Sequence, residues 1–287
     1  MRFNTPLRYP GGKGKLTDFI KLIFEVNDLL DGHYVEPYAG GAGIALNLLL
    51  HGYASCIHLN DLNTSVHAFW RSVLDQPDEL CQLISDVTLS MPEWHKQKAI
   101  QKDPKSHSLL ELGFSTFFLN RTNRSGIVWG GVIGGKNQEG PWKLDARFNK
   151  VDLIRRIQNV ALYRSRIQLY NLDAAALIVS VLPSLQQRSL VYLDPPYYVK
   201  GQGLYENHYQ HADHVEIAKL VRTNIKLPWI VSYDHAPEIV GMYKGCPTIE
   251  YGISYSAQDR YKGAEIMFFS KGLTIPDVRN PVNLRVA

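Results

Sequence analysis

The stretch "SLVYLDPPYY", residues 189–198, places an acidic side chain and two prolines directly after an apolar run. Residues 189–193 are typical of a buried strand, and two prolines cannot continue a central strand, so the strand is expected to end at Asp194. Similar apolar runs alternate with helical patterns along most of the chain, which predicts a mostly parallel sheet with helices on both faces. The last two predicted strands, 248–254 and 264–270, have no helix between them and favour an antiparallel hairpin at one edge.

Each predicted parallel strand delivers an acidic residue to its carboxyl end. In open α/β sheets ligands bind at that edge, because the strands end there and the loops that follow them meet there. The residues concerned are Glu36, Asp61, Asp173, Asp194 and Asp234. The sequence therefore predicts an α/β, Rossmann-like fold with a polar site at this edge.

Composition excludes several classes of protein. With 287 residues, 45% of them hydrophobic, the chain suits one large domain or a domain with an insertion. No apolar run approaches the roughly 20 residues of a membrane helix. The segment after Met1 has no apolar core and no small-residue cleavage site, so a signal peptide is not expected. The three widely spaced cysteines fit a reducing cytoplasm. The histidines of "HYQHADH" (208–214) are not completed by further ligands, so no metal site is predicted.

The charge is unevenly distributed along the chain. Residues 96–166 hold 14 of the 31 Lys and Arg but only 5 of the 27 Asp and Glu, a balance of +9, which leaves −5 for the remainder. A basic segment in an otherwise acidic chain favours contact with nucleic-acid phosphates, and a solvated basic surface is the alternative.

The segment "EPYAGGAG" (36–43) follows the first predicted strand and opens a helix. Its glycines permit a tight turn against a ligand. Asp61 ends the next predicted strand, at a sequence spacing from the glycines that is typical of an acidic residue binding ribose hydroxyls. The glycines do not match G-x-G-x-x-G, and Glu36 would repel a pyrophosphate. A cationic nucleoside such as S-adenosylmethionine is therefore favoured over NAD.

The segment "RYPGGKGKL" (8–16) resembles a phosphate-binding loop but fails its pattern, because Leu16 follows Lys15 where Ser or Thr is required. Lys13 could instead hold a carboxylate, with the Gly11 and Gly12 amides near the start of a helix. A turn with a solvated lysine is the alternative.

The residues at 194–197 suit methyl transfer to an exocyclic amino group of a nucleobase. The lone pair of such a nitrogen is delocalised into the ring, so catalysis must favour a pyramidal nitrogen. Asp194 can accept one N–H bond, and the Pro195 carbonyl, held by two adjoining rings, can accept the other. Tyr197 offers a face on which a flipped base can stack.

These motifs together resemble the Dam-like family of DNA adenine N6-methyltransferases, in the family's order: cofactor motifs, target-recognition insertion, then the catalytic motif. The resemblance implies a methyltransferase domain at 1–64 and 166–287 and an inserted DNA-binding region at 65–165. Asp194, Pro195, Pro196 and Tyr197 would form the catalytic tetrad. The implied cofactor-binding residues are Tyr9, Pro10, Gly11, Gly12, Lys13, Glu36, Pro37, Tyr38, Ala39, Gly40, Gly41, Gly43, Asp61, Asp173 and Asp194.

In the insertion the chain departs from the family members that methylate GATC, which carry Asn-Val-Pro-x-Gly; the target sequence stays open. Candidates for phosphate or guanine contacts are Arg121, Arg124, Lys136, Lys143 and Arg147. Asn123 and Gln138 could read adenine edges, and Arg260 and Lys262 could meet the DNA backbone.

Several functions stay open beside adenine N6 methylation of duplex DNA. Cytosine N4 methylation needs the same acceptors, RNA adenine is not distinguished by a basic insertion, and a catalytically silent DNA-binding module is the alternative from another class. A restriction nuclease or another defence component could be a partner.

Overall fold

The computed structural model describes residues 4–9, 11–199, 209–254 and 262–284. Its strands are β1 (Gly32–Glu36), β2 (Ala54–Asn60), β3 (Ile167–Tyr170), β4 (Ser189–Leu193), β5 (Trp229–Asp234), β6 (Thr248–Ser254) and β7 (Lys262–Phe269). Its α-helices are α1 (Thr17–Val26), α2 (Gly43–Leu50), α3 (Thr64–Asp75), α4 (Pro77–Asp86), α5 (Met91–Lys102), α6 (Leu109–Thr122), α7 (Lys150–Ala161), α8 (Ala174–Ser180), α9 (His211–Thr223) and α10 (Pro237–Met242). Within these described ranges no helix is both long and apolar enough to span a bilayer.

The chain forms two compact units. We call Lys13–Leu62 with Arg166–Ala287 the sheet unit, and Met1–Gly12 with Asn63–Ser165 the inserted unit. The sequence grouped residues 1–12 with the sheet, whereas the structure groups them with the inserted unit. One reason is local: the Arg8 backbone N–H donates to Asn120 Oδ1 at 2.8 Å, and Asn120 Nδ2 donates to the Arg8 carbonyl at 2.6 Å. The DNA-binding role of residues 65–165 stays a prediction.

The sheet unit contains one seven-stranded sheet in the order β3-β2-β1-β4-β5-β7-β6. The first five strands of this order are parallel, and β7 pairs antiparallel with both β5 and β6. The Rossmann-like α/β fold and the antiparallel hairpin at one edge are confirmed. The carboxyl ends of β1, β2, β4 and β5 therefore lie at one edge of the sheet. The acidic residues at these strand ends are brought to the same edge.

Apolar side chains cover both faces of this sheet. On one face α1 packs its buried aromatic residues against the strands, with Phe19 edge-on to Phe269 and Phe24 against Tyr34. On the other face lies a cluster of buried residues from the strands, α8, α9 and α10. Both faces of the strands are thus apolar, as the continuous apolar run at 189–193 predicts for a strand that is buried on both sides.

The inserted unit is helical. Residues 65–84 read as one long helix, but the structure ends α3 at Asp75 and begins α4 at Pro77. Proline lacks an N–H and is tolerated in the first turn of a helix, so it starts a new helix here. Helices α3 and α6 approach closely at Gly113, where a Cβ would lie 2.7 Å from the Ala68 carbonyl oxygen. Phe69 and Phe117 stack beside this contact, with ring centroids 5.9 Å apart.

Candidate active site

The strand ends place four of the five predicted acidic residues as the sequence indicated. Glu36 and Asp234 are the last residues of β1 and β5, and Asp61 and Asp194 directly follow β2 and β4. Asp173 differs, because β3 ends three residues earlier, at Tyr170. Asp173 is exposed and caps α8, its carboxylate accepting the Ala175 N–H at 2.8 Å.

Asp194 lies in a buried network of polar side chains. Its Oδ1 atom is 3.1 Å from the Lys13 ammonium nitrogen, and the same oxygen accepts the Ser232 hydroxyl at 2.8 Å. The Tyr192 hydroxyl in turn donates to Ser232 at 3.0 Å. Lys13 is almost fully buried, with 4% of its side chain exposed to solvent, whereas 22% of the Asp194 side chain is exposed. Asp194 is therefore held in one orientation while still open to a second molecule.

Tyr197 is fixed by a second part of the network. Its hydroxyl donates to Glu265 Oε1 at 2.6 Å, and Lys13 Nζ donates to the same hydroxyl at 2.5 Å. The other Glu265 oxygen accepts the Tyr251 hydroxyl at 2.8 Å and lies 3.8 Å from Lys13. The Lys13 nitrogen also lies 4.7 Å from the centre of the Tyr197 ring. Lys13 thus bridges two carboxylates and the tyrosine hydroxyl.

The sequence missed Glu265 and Ser232. Glu265 lies in the apolar strand β7 with no exposed side-chain surface, and β5 holds Ser232 buried between Val231 and Tyr233. The available signal is the charge of Glu265 directly before the apolar run Ile266–Phe269, because a buried carboxylate needs a partner. The contacts of Lys13 with the carboxylates of Asp194 and Glu265 were not predicted either.

The buried, charged surroundings of Asp194 shift the pKa of its carboxyl. Burial raises the pKa of its carboxyl above the usual value; the Lys13 ammonium opposes this shift, and the charge of Glu265 adds to it. A carboxylate in this setting binds a positively charged or N–H-bearing group more strongly than one in water.

Asp234 fixes the backbone just beyond the predicted tetrad. Its two carboxylate oxygens accept the N–H groups of Tyr198 and Val199, each at 2.9 Å. These two bonds hold residues 198 and 199 against the end of β5. Pro195 and Pro196 have no backbone N–H and cannot anchor the "DPPY" segment in this way. The bonds to residues 198 and 199 therefore anchor its carboxyl end.

The glycine segment after β1 is tied to the end of β2. The Gly40 N–H donates to Asp61 Oδ2 at 2.9 Å, and the Ala39 N–H donates to the Asn60 carbonyl at 2.8 Å. Gly40 and Ala42 have φ angles of 47° and 48°, a region that suits glycine and strains alanine. The loop that precedes α2 is therefore a tight turn whose backbone lies against the Asp61 carboxylate.

Glu36 is buried at the start of this loop, and burial is the main cause that raises its pKa to about 8. The Ala45 N–H, in the first turn of α2, donates to Glu36 Oε1 at 3.2 Å and partly opposes the shift. Near neutral pH the group is therefore largely protonated when nothing cationic is nearby. A positive charge beside it would favour the carboxylate, so a cation and Glu36 would stabilise each other.

The remaining cofactor candidates fall in both units. Pro37, Ala39, Gly40 and Gly41 are buried in the glycine loop, and Tyr38 and Gly43 are half-buried there. The Tyr38 hydroxyl lies 2.9 Å from that of Tyr209. Tyr9, Gly11 and Gly12 belong to the inserted unit, where the Gly12 N–H donates to the Tyr9 carbonyl at 3.1 Å. Pro10 lies outside the described residues. Their cofactor contacts stay predictions.

Three of the DNA-contact candidates stabilise the inserted unit itself. Asn123 has no exposed surface; it accepts the Trp94 indole N–H at 2.7 Å and donates to the Ile127 and Val128 carbonyls. Gln138 donates to two carbonyls of its own loop and accepts the Leu144 N–H.

Arg121 donates to the Arg147 carbonyl at 2.7 Å, and burial with neighbouring cationic side chains lowers its pKa to about 9.

The other basic candidates are accessible. Exposed side chains on the irregular segment between α6 and α7 are Arg124, Lys136, Lys143 and Arg147. Lys143 bonds the Gln138 carbonyl, which keeps its ammonium group near that loop. Arg260 and the side chain of Lys262 lie outside the described residues.

The sequence and the structure were compared with known proteins. Residues 9–258 match the family model described as D12 class N6 adenine-specific DNA methyltransferase. No curated protein sequence matches the chain.

Three solved structures with a distant similarity are a putative RNA methyltransferase PH1948 from Pyrococcus horikoshii, the rRNA methyltransferase aviRa from Streptomyces viridochromogenes and the putative methyltransferase yhhF from Escherichia coli. Their identities to this chain are 9%, 13% and 12%, and their TM-scores are 0.42, 0.37 and 0.33. The alignments cover 89%, 91% and 85% of this chain and 83%, 86% and 78% of the other chains.

Proposed function

Since the chain belongs to the family of D12 class N6 adenine-specific DNA methyltransferases, we propose that it transfers a methyl group to the N6 amino group of an adenine flipped out of duplex DNA. Membership makes the chain an adenine-specific methyltransferase with S-adenosylmethionine as its cofactor. The duplex substrate, the flipped base and the roles of individual residues are the proposal.

The residues of the sheet unit fit this cofactor. The tight turn at Gly40 brings backbone against the end of β2, where Asp61 offers a carboxylate to ribose hydroxyls. Glu36, with its raised pKa, would gain a partner in a cationic ligand, whereas a pyrophosphate would bring no such gain. When bound, the cofactor supplies an electrophilic methyl group on a positively charged sulfur.

One observation carries the proposed chemistry: the Lys13 ammonium is 3.1 Å from Asp194 Oδ1 and 2.5 Å from the Tyr197 hydroxyl. Asp194 and Tyr197 thus already stabilise a positively charged nitrogen that donates hydrogen bonds. An amino group that is being methylated becomes such a nitrogen, because it loses its conjugation and gains positive charge. The pair is therefore suited to stabilise the transition state of methyl transfer.

In the proposed complex the two N–H bonds of the adenine amino group point to Asp194 and to the Pro195 carbonyl. These acceptors draw the nitrogen out of conjugation, so its lone pair becomes available to the incoming methyl group. Lys13 must give up part of its contact with Asp194 when the amino group arrives, and it keeps Tyr197 and Glu265 as partners. Asp194 acts by hydrogen bonding and charge.

Tyr197 provides the face on which the adenine ring stacks. Its hydroxyl is fixed by Glu265 and Lys13, which sets the plane of the ring before a base arrives. Preorganisation of this kind saves the cost of ordering the side chain during binding. A base inside a duplex cannot stack on a half-buried ring of this sort, so the proposal includes base flipping.

The exposed basic residues of the inserted unit support a nucleic-acid substrate. Arg124, Lys136, Lys143 and Arg147 lie on one irregular segment, and the described part of this segment holds two acidic residues, Glu139 and Asp145. We assign them to phosphate contacts, which position a duplex without reading its sequence. The buried Asn123 and the loop-bound Gln138 are not assigned to base contacts.

The test is to incubate the purified chain with S-adenosylmethionine and mixed-sequence duplex DNA, then digest the DNA and identify methylated nucleosides by mass spectrometry. N6-methyladenine is expected. Parallel reactions contain single-stranded DNA and structured RNA of matched sequence. Methylation confined to cytosine would contradict the proposal, and methylation of RNA without methylation of DNA would move the substrate to RNA.

A further inference from the structure

Three potential metal ligands that no part of the proposed chemistry uses meet on one face of the sheet. His33 on β1 pairs in register with Cys56 on β2, and His58 follows Cys56 by two residues, so all three side chains share that face. One ligand atom from each residue lies within 4.8 Å of the others. We propose that His33, Cys56 and His58 form a binding site for Zn²⁺.

The separations of these atoms suit a tetrahedral zinc ion. His58 Nε2 is 3.1 Å from His33 Nδ1 and 3.9 Å from Cys56 Sγ. Zinc lies about 2.0–2.1 Å from histidine nitrogen and about 2.3 Å from thiolate sulfur, so neighbouring ligand atoms of a tetrahedron are about 3.3–3.6 Å apart. Shifts of a few tenths of an ångström would bring His58 Nε2 to these separations from both His33 Nδ1 and Cys56 Sγ. The third pair, His33 and Cys56, lies within 4.8 Å and would close by at most about 1.2 Å.

A neighbouring side chain orients His58 for this role. The Tyr170 hydroxyl lies 3.1 Å from His58 Nδ1, the ring nitrogen that faces away from the cluster, and the two rings are stacked. Ligating histidines in metalloproteins typically hydrogen-bond through their second nitrogen in this way, which fixes the ring and raises its basicity. Tyr170 is therefore a positioning residue rather than a ligand.

Binding has a defined proton balance, because zinc binds neutral imidazole and thiolate. The two histidines would each offer a ring nitrogen, and Zn²⁺ would replace the proton of the Cys56 thiol, which passes to solvent as the Zn–S bond forms.

The site would link β1, which leads into the glycine segment, to β2, which leads into Asp61. His33 and Cys56 are half-buried, so an ion can reach them, and the fourth position of the tetrahedron is left for water. β1 continues from His33 to Glu36, and β2 continues from His58 to Asn60, next to Asp61. A bound ion would therefore cross-link β1 and β2 and stabilise the sheet unit against unfolding.

Cobalt provides the test, because four-coordinate Co²⁺ reports its own ligands. The untagged full chain is stripped with a chelator, kept reduced with a non-chelating phosphine and titrated with Co²⁺. We expect ligand-field bands in the visible and a thiolate-to-cobalt charge-transfer band in the near ultraviolet, at one Co²⁺ per chain. Added Zn²⁺ should remove both, since zinc binds such sites more tightly than cobalt.

Variants show whether Cys56, rather than another cysteine, binds the metal. Cys56→Ser should lose the charge-transfer band, whereas Cys246→Ser, another half-buried cysteine, should keep it. Tyr170→Phe should keep the band and bind about tenfold more weakly. The melting temperature of the metal-free variants shows whether they fold, and Zn²⁺ should raise it for the parent chain but not for Cys56→Ser. Absence of the band in the folded parent chain, or its persistence in Cys56→Ser, would overturn the proposal.

Discussion

The sheet unit and the inserted unit use polar side chains in opposite ways. In the sheet unit the singled-out residues Lys13, Asp194 and Tyr197 bond to one another or to further buried groups. In the inserted unit the DNA-contact candidates are of two kinds. Asn123 is fully buried, whereas side chains such as Arg124 are exposed to solvent. Parallel strands bring distant residues to one edge by topology, whereas an irregular segment offers no comparable rule.

The largest expected effect tests the role of the sheet unit. Asp194→Ala should lower the single-turnover rate of methyl transfer about 100- to 1000-fold, the usual cost of removing one preorganised group that stabilises the transition state. Binding of S-adenosylmethionine, measured by calorimetry, should remain. Asp277→Ala, at an exposed aspartate, is the matched control and should keep the parent rate. Full activity in Asp194→Ala would remove this residue from the mechanism.

The next prediction concerns two adjacent residues of the inserted unit. Asn123→Ala removes the partner of the Trp94 indole N–H and of two buried carbonyls, so the free energy of unfolding should fall by about 2 kcal/mol or more. Arg124→Ala should change it by less than about 0.5 kcal/mol, because the side chain is exposed.

Arg124→Ala should instead weaken duplex binding and reduce the slope of log affinity against log salt by about 1. Thermal unfolding and fluorescence anisotropy measure the two quantities. If Arg124→Ala destabilised the fold as much as Asn123→Ala, the division between buried and exposed candidates would be wrong.

The last prediction concerns Glu36 and the pH dependence of stability. With a folded pKa of about 8, above the usual 4.5, folded Glu36 binds more protons than unfolded Glu36. Its contribution to stability is therefore complete below about pH 4.5 and is lost as pH rises to about 8, by up to about 1.4 kcal/mol per pH unit.

Glu36→Gln should lack the pH-dependent contribution of this carboxyl to the free energy of unfolding. The parent chain should therefore lose stability relative to the variant between pH 5 and 8. Denaturant unfolding at several pH values measures the difference, and Glu238→Gln, on an exposed helix start, is the control. Parallel pH profiles for the parent and Glu36→Gln would contradict the raised pKa.

Much of the fold could be predicted because strands buried on both faces are continuous apolar runs. "SLVYL" and "WIVSYD" gave β4 and β5 with their acidic ends, and the absence of a helix between β6 and β7 indicated their antiparallel pairing. The helix boundary at Pro77 and the short helix α10 were not predicted. Residues 65–84 keep a helical period across Pro77, and α10 has only six residues, too few for a periodic signal.

The sequence by itself determined the sheet and most of the acidic strand ends, because each follows from local pattern: an apolar run, its end and the residue next to it. Only the tertiary structure decided which partners these residues meet. Glu265 and Ser232 reach Lys13 and Asp194 through strand pairing, and His33, Cys56 and His58 come together across two parallel strands. Contacts of this kind depend on register between distant segments, and register is fixed by packing of the whole sheet rather than by any short stretch of sequence.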